Sequence, residues 1–214
     1  MTSLSTSGTY GFSYDTNWEV IGMFPVRYVY PLSGFRILVA AYGESLKNEE
    51  PIDPQAFVVK YGQERFGFTP EESKRMWQIL KSPQETIVRG KDPKGTSVKE
   101  VKAETIALQK QLASLKPKNN VPEFEHLRLM FDLRVQYLTF KEIENRYESS
   151  RFERNQAETF IKELEPLIIE ARKLDKRFLT LNKGFLHDEE IAEINRTRNN
   201  KLNTMYETLI KMTH

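Results

Sequence analysis

The stretch FEHLRLMFDLRVQYLTFKEI, residues 124–143, decides the fold class, because its apolar residues recur about every three to four positions. This spacing places them along one side of an α-helix, where they can face a hydrophobic core. The residues on that side are Phe124, Leu127, Phe131, Val135, Leu138 and Ile143. The stretch therefore predicts one long amphipathic helix, and the same periodicity continues on both sides of it.

The helical pattern is nearly continuous from Val98 to the end of the sequence. It is interrupted at 115–122, 148–150 and 181–188, so this part of the chain predicts four helices. Because the links between them are short, consecutive helices are expected to run antiparallel. Residues 97–214 are therefore predicted to form a helical bundle, with its charged residues on a solvated surface.

Shorter helices are predicted upstream. An aspartate–proline pair at 53–54 and a threonine–proline pair at 69–70 are strong helix starts, since each joins an N-cap acceptor to a proline at the first helical position. They predict helices over about 54–65 and about 70–81. A further helix is predicted within 32–46, where an apolar stripe indicates a buried helix. The stripe consists of Phe35, Leu38, Val39, Tyr42 and Leu46.

Together these patterns predict a mainly α fold, in which a short extended N-terminal segment and small helices pack beside an antiparallel three- to four-helix bundle. Four segments are expected: a flexible lead-in at 1–12, a helical subdomain at 13–82, a linker at 83–96 and the bundle at 97–214. The lead-in is rich in Ser, Thr and Gly. The linker contains two prolines and two glycines and has no sustained periodicity.

Composition argues against several classes of partner. The 32 basic and 30 acidic residues nearly cancel, which leaves no strong field for nucleic acid or an anionic membrane surface. There is no cysteine, so disulfides and thiolate chemistry are excluded. No signal peptide is recognised in the first residues, and localisation stays open. If the sequence is a fragment of a longer enzyme, an exported or periplasmic location is expected.

Metal and nucleotide sites are not predicted either. His126, His187 and His214 are scattered, and no second histidine follows any of them at helical spacing. The stretch GKDPKGTS, residues 90–97, lacks the lysine that follows the second glycine of a phosphate-binding loop. We therefore predict no metal and no cofactor.

The candidate binding residues lie in the aromatic segment before the first helix. Amphipathic rings, an anion and a guanidinium occur together there, and such groups suit polar rings such as sugars. The candidates for substrate binding are Trp18, Glu19, Arg27, Tyr28 and Tyr30. A structural role is the alternative: the rings would fill the core, the guanidinium would pair with an acid, and the carboxylate would be solvated.

Two consecutive segments also carry a resemblance. The segments are NWEVIGMFPVRYVYPLSGFRILVAAYGESLKN, residues 17–48, and DPQAFVVKYGQERFGFTPEESKRMWQIL, residues 53–80. They resemble the C-terminal end of retaining glycoside hydrolases built on a (β/α)8 barrel, and the resemblance is nearest to family 20, the β-N-acetylhexosaminidases. The resemblance implies that Trp18 and Glu19 line a sugar subsite. It also implies that the following helix is the last of the barrel, with family motif positions at Ala41, Glu44 and Leu46.

The catalytic aspartate and glutamate of that family belong to an earlier barrel strand and have no counterpart in this sequence. We therefore predict no catalytic residue, and whether the chain is an enzyme stays open. The resemblance implies a C-terminal accessory part of a carbohydrate-active enzyme, with a glycan and a catalytic barrel domain as partners. It also predicts an exposed apolar patch within residues 20–46. The alternative is a free-standing helical domain that binds another protein.

Overall fold

The computed structural model describes residues 32–48, 50–82, 86–150 and 154–213. Within these ranges the chain is mainly α, as predicted, and contains no β-strand. Its helices are α1 (Leu32–Ser45), α2 (Pro54–Phe66), α3 (Pro70–Leu80), α4 (Val98–Ser114), α5 (Val121–Ser149), α6 (Ala157–Asn182), α7 (Asp188–Arg198) and α8 (Asn200–Thr213), with a 3₁₀ turn at Arg154–Gln156. The predicted lead-in and extended N-terminal segment lie outside the described residues.

The short helices begin where the sequence places them. Asp53 Oδ1 accepts a hydrogen bond of 2.6 Å from the Ala56 backbone N–H at the start of α2. Thr69 caps α3 through a reciprocal capping box with Glu72. Gly67 ends α2 with a φ of +69°, a left-handed conformation that favours glycine. These signals are local, and the predictions of α2 and α3 are confirmed to within one residue at each end.

Helix α5 is the centre of the fold. It has 29 residues, which corresponds to about 44 Å at 1.5 Å per residue. The sequence predicts one buried side, yet Leu129, Leu133 and Gln136 are buried as well. The reason is that α1, α4 and α6 all pack against this helix. Its aromatic residues Tyr137 and Phe140 therefore belong to the core.

The last predicted helix is two helices in the structure. A break at Asn199, with φ −95° and ψ 1°, separates α7 from α8. The side-chain amide of Asn199 donates hydrogen bonds of 3.0 and 2.9 Å to the two carboxylate oxygens of Asp175 on α6. Because this buried residue is held against α6, α8 begins as a separate helix.

Two hydrophobic clusters fill the interior of the described chain. The larger contains residues of α2, α3, α4, α5, α6 and α7, and the smaller joins the end of α5 to α6 and α8. The larger cluster includes Ile87, which lies within the segment predicted as a linker, together with Ile79 before that segment and Val98 after it. That segment contacts α5 directly, because the Ile87 backbone N–H donates to the Tyr137 hydroxyl at 3.2 Å. The division into segments itself stays a prediction.

Candidate functional site

The surface of α1 is the most unusual feature of the described chain. Of the side chains at positions 36–45, none is buried. Leu38, Val39 and Leu46 are 42%, 52% and 59% exposed. Helical spacing places the three within about 100° of one another around the helix axis. We call these three residues the outer face of α1, although Leu46 lies in the turn that directly follows the helix.

This outer face corrects the prediction of a buried stripe. Leu38, Val39 and Leu46 belong to the stripe that the sequence assigns to the core, whereas the structure exposes them. The physical reason is that α1 packs against α5 by its other side. There Ile37 contacts the larger hydrophobic cluster, and Arg36 Nη1 donates to Glu123 Oε2 at 3.4 Å. The exposure agrees with the apolar patch expected within residues 20–46.

Polar contacts tie α1 to the rest of the fold. Lys60 Nζ on α2 donates a hydrogen bond of 2.8 Å to Glu44 Oε1, and this contact lowers the pKa of the Glu44 carboxyl. Arg36 reaches the Glu123 carboxylate on α5. Residues 37–43 between these two contacts are uncharged. The two charged residues of the helix are therefore engaged with α2 and α5, and the outer face carries no charge.

Below α1, the Glu123 carboxylate is a buried ionic centre that is only 7% exposed. The Tyr61 hydroxyl donates to its Oε1 at 2.7 Å, and Arg65 donates to Oε2 from Nε at 2.9 Å and from Nη2 at 2.7 Å. Burial raises the pKa of Tyr61, and the hydrogen bond to Glu123 raises it further. These donors occupy both oxygens of the Glu123 carboxylate, so its hydrogen-bonding capacity is used within the fold. Its role is to join α2 and α5.

His126 lies one turn further along α5 and is only 4% exposed. Burial lowers the pKa of this imidazole, while a hydrogen bond to the Leu181 backbone opposes the shift. Its Nδ1 atom is buried and has no hydrogen-bond partner. A neutral, enclosed imidazole of this kind contributes packing and is not placed to transfer protons to a substrate.

A charged cleft of about 440 Å³ lies between α4, α5 and α6. Arg177 from α6 bridges two carboxylates on α5, donating to Glu125 Oε2 at 2.8 Å and also to Asp132. Arg128 pairs with Glu125 and donates to the Leu115 carbonyl at 2.7 Å. Glu125 and Asp132 are both paired with arginines, so the cleft offers no free acid pair for glycoside hydrolysis.

The five residues predicted to bind substrate, Trp18, Glu19, Arg27, Tyr28 and Tyr30, lie outside the described residues. Their role stays a prediction. The described ranges contain no group of three or more side chains that could hold a metal ion. Within the same ranges, no helix combines the length and apolar character that crossing a membrane requires.

Sequence reasoning missed the ionic centre under α1, although part of it was visible. Tyr61 and Arg65 are four positions apart in a predicted helix and therefore share one face. Their common acceptor, Glu123, is 58 positions beyond Arg65, and no local signal connects them.

We compared the chain with models of known protein families, with curated proteins and with solved structures, and no significant match was found in any of the three. The resemblance to family 20 glycoside hydrolases therefore stays a prediction based on the motifs quoted above.

Proposed function

We propose that this chain is a C-terminal accessory part of a carbohydrate-active enzyme, that it docks on a catalytic (β/α)8-barrel domain through the outer face of α1, and that it does not catalyse hydrolysis by itself. The observation that carries the proposal is the mismatch between the composition of α1 and its burial. Residues 37–43 are uncharged, yet none of them is buried. A helix with apolar residues around most of its circumference is normally covered on more than one side.

Because the outer face of α1 carries no charge, the partner surface that covers it should be apolar. Leu38, Val39 and Leu46 present an aliphatic surface, and the charges at both ends of α1 are engaged with α2 and α5. The helices of a (β/α)8 barrel pack an apolar face against the strands in this manner. The resemblance noted above gives the same segment the position of the last barrel helix. The composition of α1 and the resemblance therefore both support a (β/α)8-barrel domain as the partner.

The proposal has a direct test. The source gene is read upstream of the Met1 codon, and we expect several hundred codons for a barrel-like domain. The joined polypeptide is then produced with Val39→Asp, which places a charge on the outer face. Ile169→Asp on α6 is the matched control, because Ile169 is 55% exposed, close to the 52% of Val39, but lies on another helix.

We expect Val39→Asp to make the joint between the two domains sensitive to limited proteolysis, and Ile169→Asp to leave it resistant. A stop codon directly upstream, or equal resistance of both variants, would overturn the proposal. Glycan binding is tested separately. Replacement of Trp18 and Glu19 by alanine should remove retention in a glycan-containing affinity gel while the circular dichroism spectrum stays unchanged.

A second candidate is a free-standing helical domain that binds another protein. It is favoured by the same observation, since an exposed aliphatic face on a helix also suits a helical partner. The two candidates differ in the origin of the partner surface. If no barrel is encoded upstream but Val39→Asp alone lowers self-association or capture of a purified partner, the second candidate replaces the first.

A further inference from the structure

The segment that leads into α4 concentrates positive charge on a chain that is nearly neutral overall. Four basic side chains, all exposed, lie in this segment and in the first turn of α4. We call them the basic cluster: Arg89, Lys91, Lys94 and Lys99. In the part of the chain that the structure describes, none of the four forms an ion pair. Their charges are therefore available to a ligand.

The acidic residues beside the basic cluster are engaged with the backbone. Asp92 Oδ1 accepts hydrogen bonds from the backbone N–H groups of Lys94 at 2.9 Å and Thr96 at 2.7 Å. Glu100 Oε2 accepts from the Ser97 backbone N–H at 3.0 Å, in the capping box of α4. Both carboxylates hold the local backbone, so the segment presents a net positive charge. They also occupy backbone donors that a single bound phosphate would need.

The backbone that carries the cluster is held in one conformation. Val88 and Lys91 exchange backbone hydrogen bonds of 2.9 and 3.1 Å, which close a two-residue turn, and the Val98 backbone N–H donates to the Gly90 carbonyl at 2.8 Å. Gly90 is buried, and an added Cβ there would lie 2.6 Å from the Asn145 side chain on α5. The turn is therefore packed closely against the central helix. A surface that is fixed before binding loses little conformational entropy when a ligand binds.

Arg89 occupies a position that the turn itself would give to another residue. Its φ is +49°, and the φ of the following Gly90 is +73°. Two-residue turns with positive φ at both positions favour asparagine followed by glycine. A left-handed conformation costs other residues roughly 1–2 kcal/mol. The fold therefore does not require an arginine here, and an exposed guanidinium without an ion pair indicates a role in binding.

The surroundings of the cluster decide the class of ligand. Because Asp92 and Glu100 occupy nearby backbone donors, the side-chain charges must bind the ligand by themselves. Several separate cations suit a polymer that carries anionic groups at repeated positions, since many weak contacts then add up. Residues 86–100 include no aromatic ring on which a base could stack. This favours a polysaccharide over a single-stranded nucleic acid.

We propose that the basic cluster binds an anionic polysaccharide, one that carries carboxylate or sulfate groups along its chain. The inference rests on the proposed function in one respect, which is the choice of a carbohydrate as the polyanion. The contact is electrostatic and uses residues other than those of the outer face of α1.

The test uses the whole chain and two labelled polyanions, heparin and polygalacturonate, with neutral dextran as the control polymer. We expect binding of heparin, of polygalacturonate or of both, and none of dextran. Binding of polygalacturonate shows that carboxylates suffice, whereas binding of heparin alone shows that sulfates are needed. Because bound counterions are released, raising the salt concentration from 50 to 200 mM should weaken binding by roughly 50- to 150-fold if four charges take part.

A combined variant removes most of the cluster through Arg89→Asn, Lys91→Gln and Lys94→Gln. Asparagine suits the left-handed backbone at position 89, so the fold should be kept. The matched control removes three exposed charges of α6 that form no ion pair within the described residues, through Lys162→Gln, Arg172→Gln and Lys176→Gln. We expect the first variant to bind at least about tenfold more weakly and the control to bind as the unmodified chain does.

Three results would overturn the proposal. They are no binding of either polyanion, equal weakening in the two variants, and tighter binding of a single-stranded oligonucleotide than of either polysaccharide. If the combined variant does not fold, Lys94→Gln alone decides, with Lys176→Gln as its control. The assay needs no barrel domain, so its failure leaves the docking of α1 untouched. Failure of the Val39→Asp test would likewise leave polyanion binding by the chain unchanged.

Discussion

The Tyr61 hydroxyl on α2 donates a hydrogen bond of 2.7 Å to the Glu123 carboxylate on α5. This bond spans 62 positions of sequence and meets a carboxylate that is otherwise buried under α1. A buried charge is tolerated when its acceptor sites are filled, and Arg65 fills the other oxygen of Glu123. The pair therefore connects the upstream helices to the central helix of the bundle.

Tyr61→Phe should lower the free energy of unfolding by about 1.5–3 kcal/mol, the range for a hydrogen bond to a charged group. The aromatic ring is kept, so the loss reports the hydroxyl. Urea unfolding followed by circular dichroism measures the change. Tyr206→Phe is the control, because its hydroxyl reaches an exposed Glu165 at 3.5 Å and should contribute little. Equal decreases in the free energy of unfolding for the two variants would show that the hydrogen bond to Glu123 stabilises the fold no more than an exposed one does.

Two helical glycines should respond to alanine in opposite ways. An added Cβ at Gly62 would lie 2.9 Å from Ser73 Oγ and 3.2 Å from Ser73 Cβ, whereas at Gly43 nothing lies within 4 Å. Gly43→Ala should therefore stabilise α1 by up to about 1 kcal/mol through helix propensity. Gly62→Ala should destabilise the α2–α3 contact by about 1–3 kcal/mol through overpacking. Thermal unfolding of both variants tests this, and a stabilised Gly62→Ala variant would refute the close packing.

His126 should make stability depend on pH. Its pKa in the folded chain is lowered by burial from a reference value of 6.5. As the pH falls below that reference, the unfolded chain takes up a proton that the folded chain does not, so the free energy of unfolding decreases until the folded pKa is reached.

His126→Gln removes this term. The stability of the unmodified chain relative to the variant should therefore decrease as the pH is lowered from 7.5 to 5, because all other titrating groups are common to both. Urea unfolding across this range measures the difference. Parallel stability curves would mean that the imidazole titrates alike in the folded and unfolded chains.

Local signals were sufficient for most of the helices, because a cap depends on residues within one turn. Asp53 and Thr69 are examples, since each accepts a hydrogen bond from a backbone N–H three positions further on. The break at Asn199 was not predictable in this way. It depends on Asp175, which is 24 positions away and on another helix.

Local sequence signals also fail to predict which charged residues pair with each other across helices. The sequence pattern predicts that the charged residues of the bundle lie on a solvated surface, yet Arg177 on α6 bridges Glu125 and Asp132 on α5. Periodicity places the apolar stripe of α1 on one side of a helix. It does not show whether that side packs against the rest of the chain or stays exposed. For this reason Leu38 and Val39 were predicted to be buried and are exposed.

The attachment of α1 has a consequence for how the chain opens. Most helix pairs that pack together are neighbours in sequence, whereas α1 packs against α5, with Arg36 and Glu123 separated by 87 positions. With few buried contacts, α1 should detach in a partial unfolding event that leaves the bundle intact. Its amide protons should therefore exchange with deuterated solvent faster than those of α5. Whatever covers Leu38 and Val39 would slow that exchange, so deuterium uptake in this one helix would report occupancy of the surface.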